Sequence, residues 1–176
     1  MKKAALLIFV FIGFSTTLSA QFTRKFNKNW TFGVGAGVSY NEDKSIYSPL
    51  QNLYVIRYIN PSADLMLENR LTYYEGIDII NPLLQLKYKF NNGYLFDKYI
   101  TIKPFLLGGP GYMWKDGANG INFDGGGGFN FQIRPNMNLC FTGVYIKNIA
   151  EISGVDMTND HWQVSCSVEI NIVRKK

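Results

Sequence analysis

Chemistry-bearing residues are scarce in this chain of 176 residues. There are two cysteines, Cys140 and Cys166, and one histidine, His161. No Cys-x-x-Cys or His-Glu-x-x-His spacing occurs, so no metal site and no cofactor is expected. Charge of one sign is also sparse. The formal net charge is +5, and no basic run is wide enough for nucleic acid. Arg174-Lys175-Lys176 reads as a solvated tail. Beyond residue 20 no apolar run is long enough to cross a bilayer as a helix. Helical periodicity is absent from the same stretch.

The N-terminus reads as a targeting segment. Lys2 and Lys3 precede an apolar run from Ala4 to Phe14, which is too short to span a membrane as a helix. Small residues then lead to Ala20. This is the pattern of a secretory signal peptide over 1–20, cleaved after Ala20. No cysteine lies near the cut, so lipoprotein processing is not expected. The expected organisation is a signal peptide (1–20), a short periplasmic segment (21–29), a barrel (30–173) and the basic tail (174–176).

Aromatic residues are plentiful, with 11 Tyr, 13 Phe and 3 Trp. Apolar residues recur with period two almost throughout. Trp30, Phe32, Val34, Ala36, Val38 and Tyr40 share one face. In 53–59, Tyr54, Ile56 and Tyr58 are read as that same outward face and Arg57 as inward. Leu65, Leu67, Leu71 and Tyr73 oppose Asp64, Glu68, Arg70 and Thr72. Leu84, Leu86, Tyr88 and Phe90 oppose Gln85, Lys87 and Lys89. Ile102, Leu106, Tyr112 and Trp114 oppose Thr101 and Lys103. Phe123, Phe129, Phe131 and Ile133 oppose Asp124, Asn130, Gln132 and Arg134. Met137, Leu139, Phe141 and Tyr145 oppose Asn138 and Thr142. Trp162, Val164, Val168, Ile170 and Ile172 oppose Gln163, Ser165, Ser167 and Glu169. The pattern predicts eight long strands, of the length a tilted strand needs to cross a bilayer.

Four consecutive glycines, Gly125 to Gly128, raise the question of a phosphate loop. A phosphate-binding fingerprint needs a helix after the glycines. Phe129-Asn130-Phe131-Gln132-Ile133 is a strand instead. The glycines therefore read as structural. Inward glycines leave room for long side chains in a narrow barrel and relieve strong coiling.

The connections and aromatics set an orientation. Loops at 41–49, 75–78, 115–120 and 148–160 are expected to face outward, with tighter turns and both termini on the periplasmic side. Tyr40, Tyr73, Tyr112, Trp114, Tyr145 and Trp162 then fall on the outer rim. Trp30, Tyr58, Tyr88, Phe90 and Phe131 fall on the inner rim. Two aromatic girdles are what the interfaces of a bilayer select. A soluble ligand-binding barrel has the opposite polarity, with its apolar side chains inside.

At this point the chain resembles the OmpA-type eight-stranded outer-membrane barrel family, in its Bacteroidota-like form. The resemblance rests on "FGVGAGVSY" (32–40), "INPSADLML" (59–67), "LLQLKYKFNNG" (83–93), "IKPFLLGGPGYMW" (102–114) and "FDGGGGFNFQI" (123–133). It implies an all-β, antiparallel, up-and-down transmembrane barrel in the bacterial outer membrane, inserted by the barrel assembly machinery. Many members also carry a peptidoglycan-binding domain, which is not expected here. The implied function is structural or surface-interacting, without catalysis and without a large pore. Its partners are outer-membrane lipid and any extracellular partner met through loops 41–49 and 148–160.

Two alternatives belong to other classes. A lipid A-modifying enzyme would need a His and a Ser together on the lipid side. His161 has inward parity, and the His-x-Ser spacing of such enzymes is missing. A narrow channel is the other alternative, although eight strands enclose a space that side chains nearly fill.

Parity makes two further expectations. Cys140 faces the lumen and Cys166 faces lipid, so both are free thiols. The inward acids Asp64, Glu68, Asp124 and Glu169 balance the inward bases Arg57, Arg70, Lys87, Lys89, Lys103 and Arg134. If the 74–79 turn sets the register, Glu68 lies opposite Gln85. The expected core network is then Glu68, Arg70, Lys87 and Lys103, closing the lumen by charge pairing.

Overall fold

Residues 30–41, 46–74, 77–90, 101–115, 118–134, 136–149 and 160–172 are described by a computed structural model. The signal peptide, the 21–29 segment and the basic tail lie outside the described residues. So do most of the two loops expected to meet partners.

Eight strands follow one another in chain order: β1 (Trp30–Asn41), β2 (Ile46–Asn60), β3 (Ala63–Tyr74), β4 (Ile77–Lys89), β5 (Ile102–Lys115), β6 (Ala118–Arg134), β7 (Met137–Asn148) and β8 (His161–Ile172). Each pairs antiparallel with the next, and β8 returns to β1, closing an eight-stranded barrel. Closure pairs the backbone of every strand on both sides and leaves no free edge. No helix occurs among the described residues.

The period-two pattern places the side chains. In β8, His161, Gln163, Ser165, Ser167 and Glu169 are buried inside, while Trp162, Val164, Cys166, Ile170 and Ile172 are exposed outside. The outer face is a continuous apolar surface in which Val34, Leu67 and Val164 are each about 60% exposed. Monomers surrounded by water rarely show apolar patches above a few hundred Å². Cys140 is buried on the lumen side and Cys166 exposed on the other, and both are free thiols. The pairing of Phe141 with Cys166 and of Cys140 with Ser167 keeps the two sulfurs on opposite sides of the wall.

Strand β2 departs from the sequence reading twice. It starts at Ile46, so residues 46–49 are strand and not loop. Its faces are also reversed. Tyr54 and Ile56 are buried in the lumen, and Leu53 points out at 61% exposure. Tyr58 follows Tyr54 inward, while Arg57 lies against the outer-face Trp30, 4.6 Å from the ring centre. The reversal has a packing cause. Tyr54 pairs with Gly33 on β1, and a Cβ on Gly33 would sit 2.1 Å from the tyrosine ring. Gly33 makes the space, and the ring covers the bare backbone. Phe105 does the same over its partner Gly128, where a Cβ would lie 2.8 Å from the ring. The four-glycine run is therefore a strand segment within β6.

One seam differs from the rest. Between β4 and β5 the pairing breaks at 81–82 and again at 84–85. Pro82 and Pro110 sit on either side of it, and a proline has no N–H to give a ladder. A shallow apolar groove lined by Leu67, Pro82, Leu84, Pro110, Tyr112 and Ile121 lies on the outer face there.

Candidate functional site: the lumen

The lumen is filled, and buried charges do much of the filling. Arg70 is central. Its Nη2 lies 2.6 Å from Glu68 Oε2 and 3.1 Å from Asp124 Oδ2. Its Nη1 donates to Gln163 Oε1 at 3.2 Å. Asn52 Nδ2 donates to the other Glu68 oxygen at 2.9 Å. The Gln85 amide donates to Asp124 Oδ2. Glu68, Arg70 and Asp124 are all essentially shielded from solvent.

A second cluster lies nearer the ends that carry the termini. Lys87 Nζ donates to Glu169 Oε1 at 2.9 Å and rests 4.1 Å above the Phe105 ring. Glu169 also accepts from Asn130 at 2.8 Å and from the Tyr54 hydroxyl at 3.3 Å. Lys89 pairs with Asp64 at 2.6 Å and lies over the Tyr58 ring at 4.7 Å. Buried charges are tolerated only when paired and hydrogen-bonded in this way, because each costs several kcal/mol to desolvate.

The four residues expected to form one network divide. Glu68 and Arg70 meet. Lys87 instead meets Glu169. Lys103 is partly exposed and donates to Gln132 at 2.9 Å, away from Glu68. Register explains this. Tyr74 pairs with Ile77, which sets Glu68 opposite Leu83 and brings Gln85 opposite Met66. Asp124 and Glu169 had inward parity in the sequence, but their central place depends on contacts across the lumen. Arg57 is outside, and Arg134 is exposed at the strand end. Leu50, Leu83, Val144 and Ile146, not singled out by period two, complete the packing. A cavity of about 10 Å³ between Thr72, Asn81, Met113, His161 and Gln163 has room for about one water.

The aromatics named for the two rims lie on the outer wall toward the strand ends, except Tyr58, which turns into the lumen mouth. At one end Tyr145 packs on Trp162, and Tyr73, Tyr112 and Trp114 are exposed. Tyr40 stacks on Tyr47 at 4.7 Å, a rim residue the loop assignment had concealed. At the other end Tyr88 meets Phe90 edge-on, Phe131 meets Phe141 edge-on, and Trp30 holds Arg57.

His161 and Ser165 both face inward and are buried. The His161 Nε2 is 3.2 Å from the Gln163 amide nitrogen, so this ring nitrogen is engaged with an amide rather than with a nucleophile. No cluster of three or more His, Cys, Asp or Glu suited to a metal occurs among the described residues.

No protein-family model matches the chain, and no curated protein matches it in sequence. Solved structures do match in shape. Neisserial surface protein A aligns with a TM-score of 0.67 at 12% identity, over 82% of this chain and 97% of that one. The N-terminal β-barrel domain of Pseudomonas aeruginosa OprF aligns at 0.60 and 12% identity, over 84% of this chain and 100% of that one. Ail, the attachment invasion locus protein of Yersinia pestis, aligns at 0.55 and 13% identity, over 84% and 100%. At such identities the likeness is one of architecture. The fold of this chain is the eight-stranded antiparallel barrel found in bacterial outer-membrane proteins.

Proposed function

We propose that this protein is an integral outer-membrane barrel of the OmpA-like type, exported by its signal peptide, with a structural or surface-interaction role and no catalysis. The observation that carries the reading is its inverted polarity. The outer wall is apolar between two aromatic rims, and the buried charges are inside. That arrangement suits a chain surrounded by hydrocarbon and headgroups. Its interior supports a closed lumen, because the charges are paired and the free volume is small. Contacts with an extracellular partner would come from the connections after β1 and β7.

The test has two arms. Cells expressing the full chain are treated with protease from outside. Cleavage within 148–160 with protection of the β8 segment is the expected result. Absence of the protein from the outer-membrane fraction would overturn the assignment. Purified barrel in planar bilayers is expected to give no stable single-channel conductance, and steady conductance would overturn the closed lumen.

A further inference from the structure

The outer wall carries a charge among apolar neighbours. Arg57 faces outward near the end of β2, with Trp30 opposite it on β1 and Leu65 opposite it on β3. Val55 and Ile59 are the outward residues on either side of it along β2. Among the described residues it is the one charged side chain at the outward positions of β1, β2 and β3. An arginine on the lipid side of a barrel is costly unless it lies near an interface or meets an anion. The acids of β3 do not supply one. Asp64 and Glu68 point into the lumen and are held by Lys89 and Arg70. No ion pair to Arg57 occurs among the described residues.

Arg57 is nonetheless held in place. Its guanidinium carbon lies over the Trp30 ring, 4.6 Å from the centre. A guanidinium laid on an indole gains cation–π attraction and keeps its N–H groups, which lie in its own plane. What remains free is a planar fork of donors, the shape that meets two oxygens of a carboxylate or a phosphate. The pair stands at the barrel end that carries the termini, because Trp30 opens β1. The surroundings choose between the two oxyanions. Ile59 and Leu65 flank Arg57, Ile172 pairs with Trp30, and all three are exposed. A ligand there must present an oxyanion and an apolar body side by side, which is the build of a phospholipid.

We propose that Arg57, stacked on Trp30, binds the phosphate of one membrane phospholipid at the interface on the terminus side, with the lipid's chains lying on the apolar wall beside it. Arg57 makes the contact and Trp30 positions it. The site rests on the outer-membrane reading above and adds a ligand to it. Inorganic phosphate offers the same oxyanion without the apolar body. A carboxylate from a second copy of the chain would neutralise the charge but would tie the arginine to dimer formation.

The experiment is native mass spectrometry of the full folded barrel in a neutral detergent, titrated with phosphatidylglycerol or with diacylglycerol of the same chains. The wild type is expected to retain one phosphatidylglycerol and no diacylglycerol. Arg57→Gln should fold and bind phosphatidylglycerol about tenfold more weakly or worse, the loss of a hydrogen-bonded charge. Trp30→Leu keeps the wall apolar and should weaken binding about two- to fivefold, the loss of an exposed cation–π contact. Lys103→Gln removes a cation at the same end and should bind as the wild type does. Equal retention of the two lipids by the wild type overturns the site, and so does undiminished binding by Arg57→Gln. Displacement of the lipid by inorganic phosphate overturns it too and assigns the arginine to a free anion. So does a lipid-free wild-type dimer that Arg57→Gln dissociates. If Arg57→Gln does not fold, the two lipids and the phosphate competition on the wild type decide. A barrel recovered in the outer-membrane fraction without lipid preference sinks this site alone, whereas absence from that fraction sinks the membrane reading.

Discussion

Near the strand ends that carry the termini, lumen charges pair one to one: buried Lys87 has Glu169 and half-buried Lys89 has Asp64. Toward the middle, one guanidinium serves two carboxylates, with amides from Asn52, Gln85 and Gln163 filling the remaining bonds. The two regions solve the same desolvation problem differently. The first matches charges one to one. The second sets both carboxylates against one guanidinium nitrogen, Nη2, and leaves Nη1 to bond the Gln163 amide oxygen. A lumen residue therefore matters by how many partners it leaves exposed when removed, more than by its own charge.

The largest effect is expected at the shared cation. Arg70→Met leaves two buried carboxylates with no cation between them. Loss of one partner of a buried pair costs about 3–5 kcal/mol, and this change should lie at or above the top of that range. Urea unfolding in vesicles measures it, and a cost near that of an exposed lysine would erase the contrast. Glu169→Ala should follow at about 3–5 kcal/mol, since it strands Lys87 and frees Asn130 and Tyr54. The paired Lys87→Met, Glu169→Leu double variant should recover most of that loss. Failure to recover would show that Glu169 acts through its amide and hydroxyl contacts rather than through Lys87. Lys89→Met should cost only about 1 kcal/mol, because its pair with Asp64 is partly open to water. Lys103→Ala should stay within about 0.5 kcal/mol, as expected for a surface position. A larger cost there would restore it to the central network.

Much of this was legible in the sequence. Polar alternation alone placed Glu68, Arg70, Asp124 and Glu169 inside, and it sorted Cys140 from Cys166. Strand β2 was misread because both its faces are apolar: Leu53 and Val55 on one, Tyr54 and Ile56 on the other. Period two then gives no sign of which is which. The deciding clue was Gly33 on the neighbouring strand, whose missing side chain admits the Tyr54 ring. Which charges meet was harder to see. A register change of two residues between β3 and β4 moves Glu68 away from Gln85. The Lys87–Glu169 pair joins residues 82 apart across the interior, where no ladder fixes the spacing. Cross-lumen distance is a property of the closed barrel and not of any strand within it.

The interrupted pairing between β4 and β5 makes the wall uneven as a mechanical object. A closed sheet spreads strain around its whole circumference, so local opening begins where fewest backbone bonds resist it. Pro82 and Pro110 put that place in mid-strand, within the apolar belt of the outer face, rather than at a frayed end. Backbone amides flanking the two prolines should exchange with deuterium sooner than amides at the same depth between β5 and β6, whose register runs unbroken.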